Sequence, residues 1–205
     1  MSNPKKSLRE LLVEASEEVY DLRDLIVSGE EAEDLRLDSI DLKASQLNGC
    51  TFLDSRFGAT GFDHVIFRDC DLSGCVFSGC GLRQVTFLGC RMMGTTFSDC
   101  TLSQCQFQDC QGKYMGLVAC ELRNTALTDC NLSGGSLSRS KLQKASVARC
   151  DFTRCDFSGA ELSGLDFSSS TIEGAIWTVD KLKNVTVTTT QAIDLARLLG
   201  LTIVP

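Results

Sequence analysis

Twelve cysteines are the residues of this chain best equipped for chemistry. Thiolates bind zinc, pair as disulfides or attack electrophiles, so spacing decides among these roles. Zinc sites use pairs such as Cys-x2-Cys, often completed by histidine. Here the nearest cysteines stand five apart, and His64 is the single histidine. No phosphate loop, nucleophile elbow or metalloprotease helix occurs. The carboxylates are spread along the chain with no pair marked out by spacing. The expectation is a protein that is not an enzyme and uses no metal and no cofactor. Its thiols are expected to stay reduced and to pack as small apolar residues.

All twelve cysteines, from Cys50 to Cys155, fall on multiples of five, and all eleven phenylalanines fall two places later. That second register has thirty positions from Leu42 to Val187; twenty-nine are large and apolar, and the exception is Gly112. The unit is small-x-large-x-x, as in Cys70-Asp71-Leu72-Ser73-Gly74 and Cys155-Asp156-Phe157-Ser158-Gly159. A helix needs a period of 3.6 and a strand a period of 2, so neither alone explains five. Five residues make one side of a coil. An extended stretch points one small and one large residue inward, two places apart, and a turn follows. Four sides close a square coil of 20 residues. About seven and a half coils, stacked at strand spacing, give a rod roughly 36 Å long. The fold class is therefore all-β, a right-handed quadrilateral β-helix of about 7–8 coils.

A 20-residue step predicts columns of like residues. Cys50, Cys70, Cys90, Cys110, Cys130 and Cys150 form one. Phe57, Phe77 and Phe97 form another, and Leu82, Leu102, Leu122, Leu142, Leu162 and Leu182 a third. Where Gly112 stands, one inward site is left without a side chain, with Tyr114 and Met115 close by; both local repacking and a recognition patch fit. Asp69, Asp109 and Asp129 share an outward column, interrupted by Gly89. A solvated face and a partner surface both fit them.

The exposed ends of such a sheet need covering. Leu8, Leu11, Leu12, Ala15 and Val19 have helical spacing, so residues 1–21 read as an acidic, helical N-terminal segment. The repeats span 22–187, and 188–205 form a C-terminal cap. Thr188 and Gln191 have capping-box spacing, and Gly200 suits a helix stop. Ile193, Leu195, Leu198, Leu199, Leu201 and Ile203 form an apolar set that fits a plug over the last coil or a dimer seam as well. The net charge is -7. Residues 1–41 hold 12 acids and 5 bases, which accounts for all of it, and residues 42–205 hold 15 of each sign. Met1–Glu10 lacks the apolar core of a secretory signal, and no apolar run could span a bilayer. The expected location is cytoplasmic, with no membrane contact.

The Cys/Ala-Asp/Asn-Leu/Phe-Ser-Gly units resemble the pentapeptide-repeat proteins over about residues 22–187. The segment Trp177–Leu182, then Val185–Val187 and Gln191–Ile203, resembles the cap of the Qnr-type fluoroquinolone-resistance members. The unbroken frame leaves no room for projecting loops, as in the loopless members. This resemblance implies a homodimer joined tail to tail through the C-terminal helix. It implies binding to type II topoisomerases, DNA gyrase or topoisomerase IV, by mimicry of duplex DNA, with protection from fluoroquinolones and no direct contact with nucleic acid. Asp69, Asp109, Asp129 and Tyr114 are the partner-binding candidates, and an interaction scaffold with an unrelated partner is the alternative.

Overall fold

A computed structural model describes residues 6–18, 20–198 and 200–204. The chain winds as a parallel β-helix with four sides per coil. On the first side, Leu22 pairs with Leu42, and the pairing continues through Phe62, Leu82, Leu102, Leu122 and Leu142, six steps of 20 residues. A bridge from Lys141 to Glu161 adds a seventh step. The first and second sides share a 12-stranded sheet, because Asp41–Asn48 and Gly61–Arg68 run through the corner as single strands. The fourth side is a five-stranded sheet. The third side is held by single bridges from Glu31 through Thr51, Asp71, Arg91, Gln111, Asn131 and Asp151 to Thr171. There a tighter turn follows the inward residue, as when Cys75 N donates to Leu72 O at 3.0 Å.

Every fifth residue from Asp24 to Gly164 has a left-handed backbone. That conformation costs an ordinary L-residue roughly 1 kcal/mol or more, while glycine adopts it freely and Asp and Asn tolerate it. The corners therefore explain why Gly and Asp recur with the period of the repeat.

The interior is filled by the two inward registers. Phe57, Phe77 and Phe97 stack with centroids 4.8 and 4.5 Å apart. Phe67, Phe87 and Phe107 stack at 5.1 and 4.7 Å. The two stacks meet edge-on, Phe87 against Phe97 at 6.0 Å. Burying each ring contributes about 1.5–3 kcal/mol, so the stacks are a main source of cohesion. The leucine column ends at Leu162. Spacing places Leu182 next, but the chain there turns into a 3-10 helix, Val179–Lys181, and Leu182 is only half-buried.

All twelve cysteines are buried and unpaired. The column Cys50, Cys70, Cys90, Cys110, Cys130 and Cys150 lies in the core. These thiols also donate hydrogen bonds, which spacing alone does not reveal. Cys70 Sγ reaches Leu47 O at 3.2 Å, Cys90 reaches Phe67 O at 3.3 Å, and Cys110 reaches Phe87 O at 3.5 Å. For ten of the twelve cysteines the acceptor lies 23 residues back, the carbonyl of a large inward residue one coil below. Ser and Thr in the same slot do likewise: Thr95 to Leu72 O at 2.8 Å and Ser140 to Leu117 O at 2.6 Å. A small residue with a donor thus gains a bond to the coil below, while Val65, Val85 and Ala160 fill the same register by packing alone. Burial pushes the thiols of Cys75 and Cys155 up to about 12 and that of Cys105 to about 11.

Gly112 leaves no void. Met115, in the next small slot, is buried and swings into the vacant space; a Cβ at Gly112 would meet Met115 Cβ at 3.2 Å and Sδ at 3.1 Å. The large slot of this side and the small slot of the next have exchanged sizes. One coil on, Gly135 accommodates the exchange, since a Cβ there would fall 2.4 Å from Met115 O.

The N-terminal end is closed by α1 (Leu8–Glu18), which buries Leu8, Leu12 and Ala15 against the first coil. Glu30 accepts from Leu8 N, and Ser16 Oγ accepts from Asp38 N at 3.3 Å. Val19 lies outside the described residues.

Three outcomes are expected. At pH 8 an aromatic disulfide reagent should label almost none of the twelve thiols in the native protein and all of them in denaturant. Because the folded thiols of Cys75, Cys105 and Cys155 titrate above the ordinary value, their stabilising contribution is complete below pH 9. It should fade as pH rises from about 9 through 12, lowering the urea midpoint. Gly112→Leu should destabilise by about 1–3 kcal/mol through overpacking. Adding Met115→Cys should recover most of that loss in thermal melts, a coupling that independent sites would not show.

Candidate interaction surfaces

The groups that could act on other molecules lie on corners and at one end of the rod. His64 occupies a corner with φ 54°, and its Nδ1 lies 2.7 Å from Asp63 Oδ1. Asp63 also accepts from Arg83, one coil on. Among the described residues, no three His, Cys, Asp or Glu side chains converge as a metal site would require. No buried side-chain nitrogen or oxygen among them lacks a hydrogen-bond partner. No described helix is long and apolar enough to cross a membrane.

Asp69, Asp109 and Asp129 do occupy one corner column, between the second and third sides, each with φ near +54°. The fold accounts for aspartate there by backbone conformation alone. The column is not a uniform strip of free carboxylates. Arg149, one coil above Asp129, grips it through two hydrogen bonds of 2.6 and 2.7 Å, and this holds the Asp129 carboxyl below the usual range. Asp69 and Asp109 are exposed.

Tyr114 sits at the far corner of the third side, on the same side of the coil as Asp109. Its φ is +64°, and it is 59% exposed. Its ring lies over Gly134, where a Cβ would come within 2.7 Å of two ring carbons.

The third side is electrically divided. Its outward and corner positions in the first three coils carry Glu31, Glu33, Asp34, Asp54 and Asp71 and no base. The next four coils carry Arg91, Lys113, Asp151 and Arg154. Among these, Arg91 pairs with Asp71 at 2.9 Å. A periodicity search finds the register but not this sign change, which needs every twentieth residue to be read as a neighbour.

The C-terminal end is open. α2 (Thr189–Arg197) begins with a capping box: Thr188 Oγ accepts from Gln191 N at 3.2 Å, and Gln191 Oε1 accepts from Thr188 N at 2.8 Å. The Gln191 amide then donates to Phe167 O at 3.1 Å and Ser170 O at 2.8 Å, tying the helix to the last coil. None of the residues of α2 is buried. Ile193, Leu198, Leu201 and Ile203 are 38%, 50%, 56% and 40% exposed, and Leu195 is half-buried. Leu199 lies outside the described residues. Between α2 and the last coil runs a cleft of about 660 Å³. Trp177, the single tryptophan, lines it and stacks on Phe157 at 4.5 Å.

Comparison with known proteins agrees with this architecture. Residues 40–117 and 85–148 match the family model described as a pentapeptide repeat region, and residues 136–174 match that of pentapeptide repeats in eight copies. No curated protein matches the chain. Similar solved structures include HetL, a pentapeptide repeat protein involved in heterocyst differentiation regulation from the cyanobacterium Nostoc sp. strain PCC 7120. It is 18% identical with a TM-score of 0.46, over 89% of this chain and 95% of that one. QnrB1, a plasmid-mediated fluoroquinolone resistance protein, is 20% identical with a TM-score of 0.40, over 90% and 100%. Rfr23 from the cyanobacterium Cyanothece 51142 is 13% identical with a TM-score of 0.37, over 82% and 98%. The family match runs through more than half of the chain and in the same frame as the stacked coils, so this protein belongs to the pentapeptide-repeat family.

Proposed function

We propose that the protein is a non-enzymatic binding rod that docks on a type II topoisomerase, DNA gyrase or topoisomerase IV, in the place of DNA, and shields it from fluoroquinolones. It acts in the cytoplasm as a homodimer joined through its C-terminal ends. The observation that carries the binding reading is the division between a closed interior and a varied exterior. The thiols are buried and hydrogen-bonded, so the chain meets other molecules through its corners and its ends. The topoisomerase reading is supported by the likeness of residues 177–203 to the Qnr-type cap. A second support is the rigid run of Glu31, Glu33, Asp34, Asp54 and Asp71 on one side. Carboxylates held in line offer a DNA-binding channel the sign and regularity of a phosphate backbone. Asp69 and Asp109, on the neighbouring corner, extend the same field.

The homodimer reading is supported by the apolar C-terminal end. Ile176, Val179, Ile193, Leu198, Leu201 and Ile203 are all exposed there, and a contiguous apolar patch favours burial against a second surface. An isologous contact of that end with itself closes the assembly at two copies. The balanced charge of residues 42–205 favours a second reading, a scaffold for a partner unrelated to DNA enzymes.

Adding the purified protein to a gyrase supercoiling assay containing ciprofloxacin should restore supercoiling; no rescue at any protein concentration would sink the topoisomerase reading. A chain ending at residue 189, and the surface variant Leu198→Glu, should both sediment as monomers, the second with unchanged circular dichroism and the first losing only the helical signal of α2. Each should need at least tenfold more protein for the same rescue. Emission from Trp177 should shift to the red as the dimer dissociates.

A further inference from the structure

Bulky residues occupy several left-handed corners at some cost in strain, among them Gln84, Arg139, Lys144, Arg149 and Arg154, and Tyr114 brings the largest apolar ring to one of them. The corner column between the third and fourth sides reads Asp34, Asp54, Gly74, Gly94, Tyr114, Gly134, Arg154 and Gly174. Glycine would serve at position 114 without strain. Tyrosine stands there instead at φ +64°, with most of its surface in water. The neighbouring coil makes room for it, because any side chain at Gly134 would strike the ring. Burial does not explain the ring, since it is 59% exposed.

Three further residues surround it. Met93, one coil below, is 57% exposed. The Lys113 ammonium lies 5.1 Å from the centre of the tyrosine ring. Arg154 stands two coils above in the same column, about 10 Å along the rod at strand spacing. Among the described residues, neither Lys113 nor Arg154 has a carboxylate within ion-pair distance. Two acids of this side lie near Arg154: Asp151, which accepts from Thr153 N at 2.9 Å, and the exposed Glu173 of the next coil, whose carbonyl accepts from Arg154 N. Tyrosine and methionine are enriched at the centres of interfaces, where a ring offers large area at low entropy cost.

We infer that Met93, Lys113, Tyr114 and Arg154 form a docking strip for an acidic protein segment that presents one large apolar side chain. The apolar group covers Met93 and the tyrosine ring, and carboxylates to either side meet Lys113 and Arg154. The choice of occupant rests on charge complementarity. Two unpartnered cations flanking an apolar centre suit a short acidic peptide. Two cations are too few to grip the run of phosphates that holds a duplex. The strip goes beyond the topoisomerase reading, because it calls for a partner surface of the opposite sign. Either can fail alone.

The test uses the full chain and fluorescence anisotropy at low salt. The probe is a labelled 12-residue peptide of Asp and Glu with one central Phe. The comparisons are the same peptide with Ser for Phe, a Lys peptide with the same Phe, and a short DNA duplex. The acidic Phe peptide should bind at least tenfold more tightly than each of the others. Tyr114→Gly should weaken it at least tenfold while the melting temperature stays the same or rises, as expected when corner strain is relieved. Lys113→Ala with Arg154→Ala should weaken binding and flatten its salt dependence. The inference is overturned if the Ser peptide or the duplex binds as tightly, or if Tyr114→Gly binds the Phe peptide like the native chain. It is equally overturned if Tyr114→Gly melts lower, which would make the ring a structural brace.

Discussion

Backbone hydrogen bonds between successive coils tie each residue to the one 20 positions away, and the remaining features of the molecule are consequences of that tie. Parallel pairing at fixed register leaves no freedom in which side chains stack. Phenylalanine stands on phenylalanine or leucine, and thiol on thiol. A one-residue slip would turn every inward side chain outward, so the frame tolerates no insertion shorter than a whole side. The left-handed corner is the second half of the constraint. It must recur every five residues for the coil to close, and its cost to ordinary residues explains the glycine and aspartate that punctuate the chain.

The same geometry disposes of the chemistry that twelve cysteines suggest. Each lies at the foot of a side, facing the axis, and ten of the twelve reach a carbonyl of the coil below. A serine or threonine in the slot makes the same bond, while Val65, Val85 and Ala160 fill it by packing alone. Burial then keeps the thiol neutral. The exchange at Gly112 and Met115 follows similar logic: the side chain missing from one side is supplied by the first residue of the next, and Gly135 yields on the next coil.

With the interior closed, recognition falls to the edges. The two ends differ because the helices that cover them differ. α1 buries an apolar face and seals its end. α2 is tied down through Gln191 yet leaves its apolar residues in water, so only that end invites another surface. The third side carries its own division, acidic in its first three coils and of mixed sign from Arg91 onward, with Tyr114 beyond the change. A rod of uniform backbone thus carries distinct surfaces at fixed spacings, and its stiffness keeps them in register with a partner.

Much of this was legible in the residues by themselves. A period of five shared by every cysteine and every phenylalanine leaves one solution, since only a coil of short sides buries both registers. The columns of Cys50 to Cys150 and of Phe57, Phe77 and Phe97 follow by arithmetic, as does the capping box at Thr188 and Gln191. Other features depended on three-dimensional packing, because they arise between residues whose relation is not periodic. Arithmetic carries the leucine column to Leu182, but the last coil breaks into a 3-10 turn before reaching it. It leaves a void at Gly112, which a methionine from a neighbouring slot fills. It aligns Asp69, Asp109 and Asp129 as equals, whereas Arg149 neutralises one of them. Periodicity determines where backbones lie; which side chains lean on which neighbours, and which ends remain uncovered, is decided only when volume and charge compete in space.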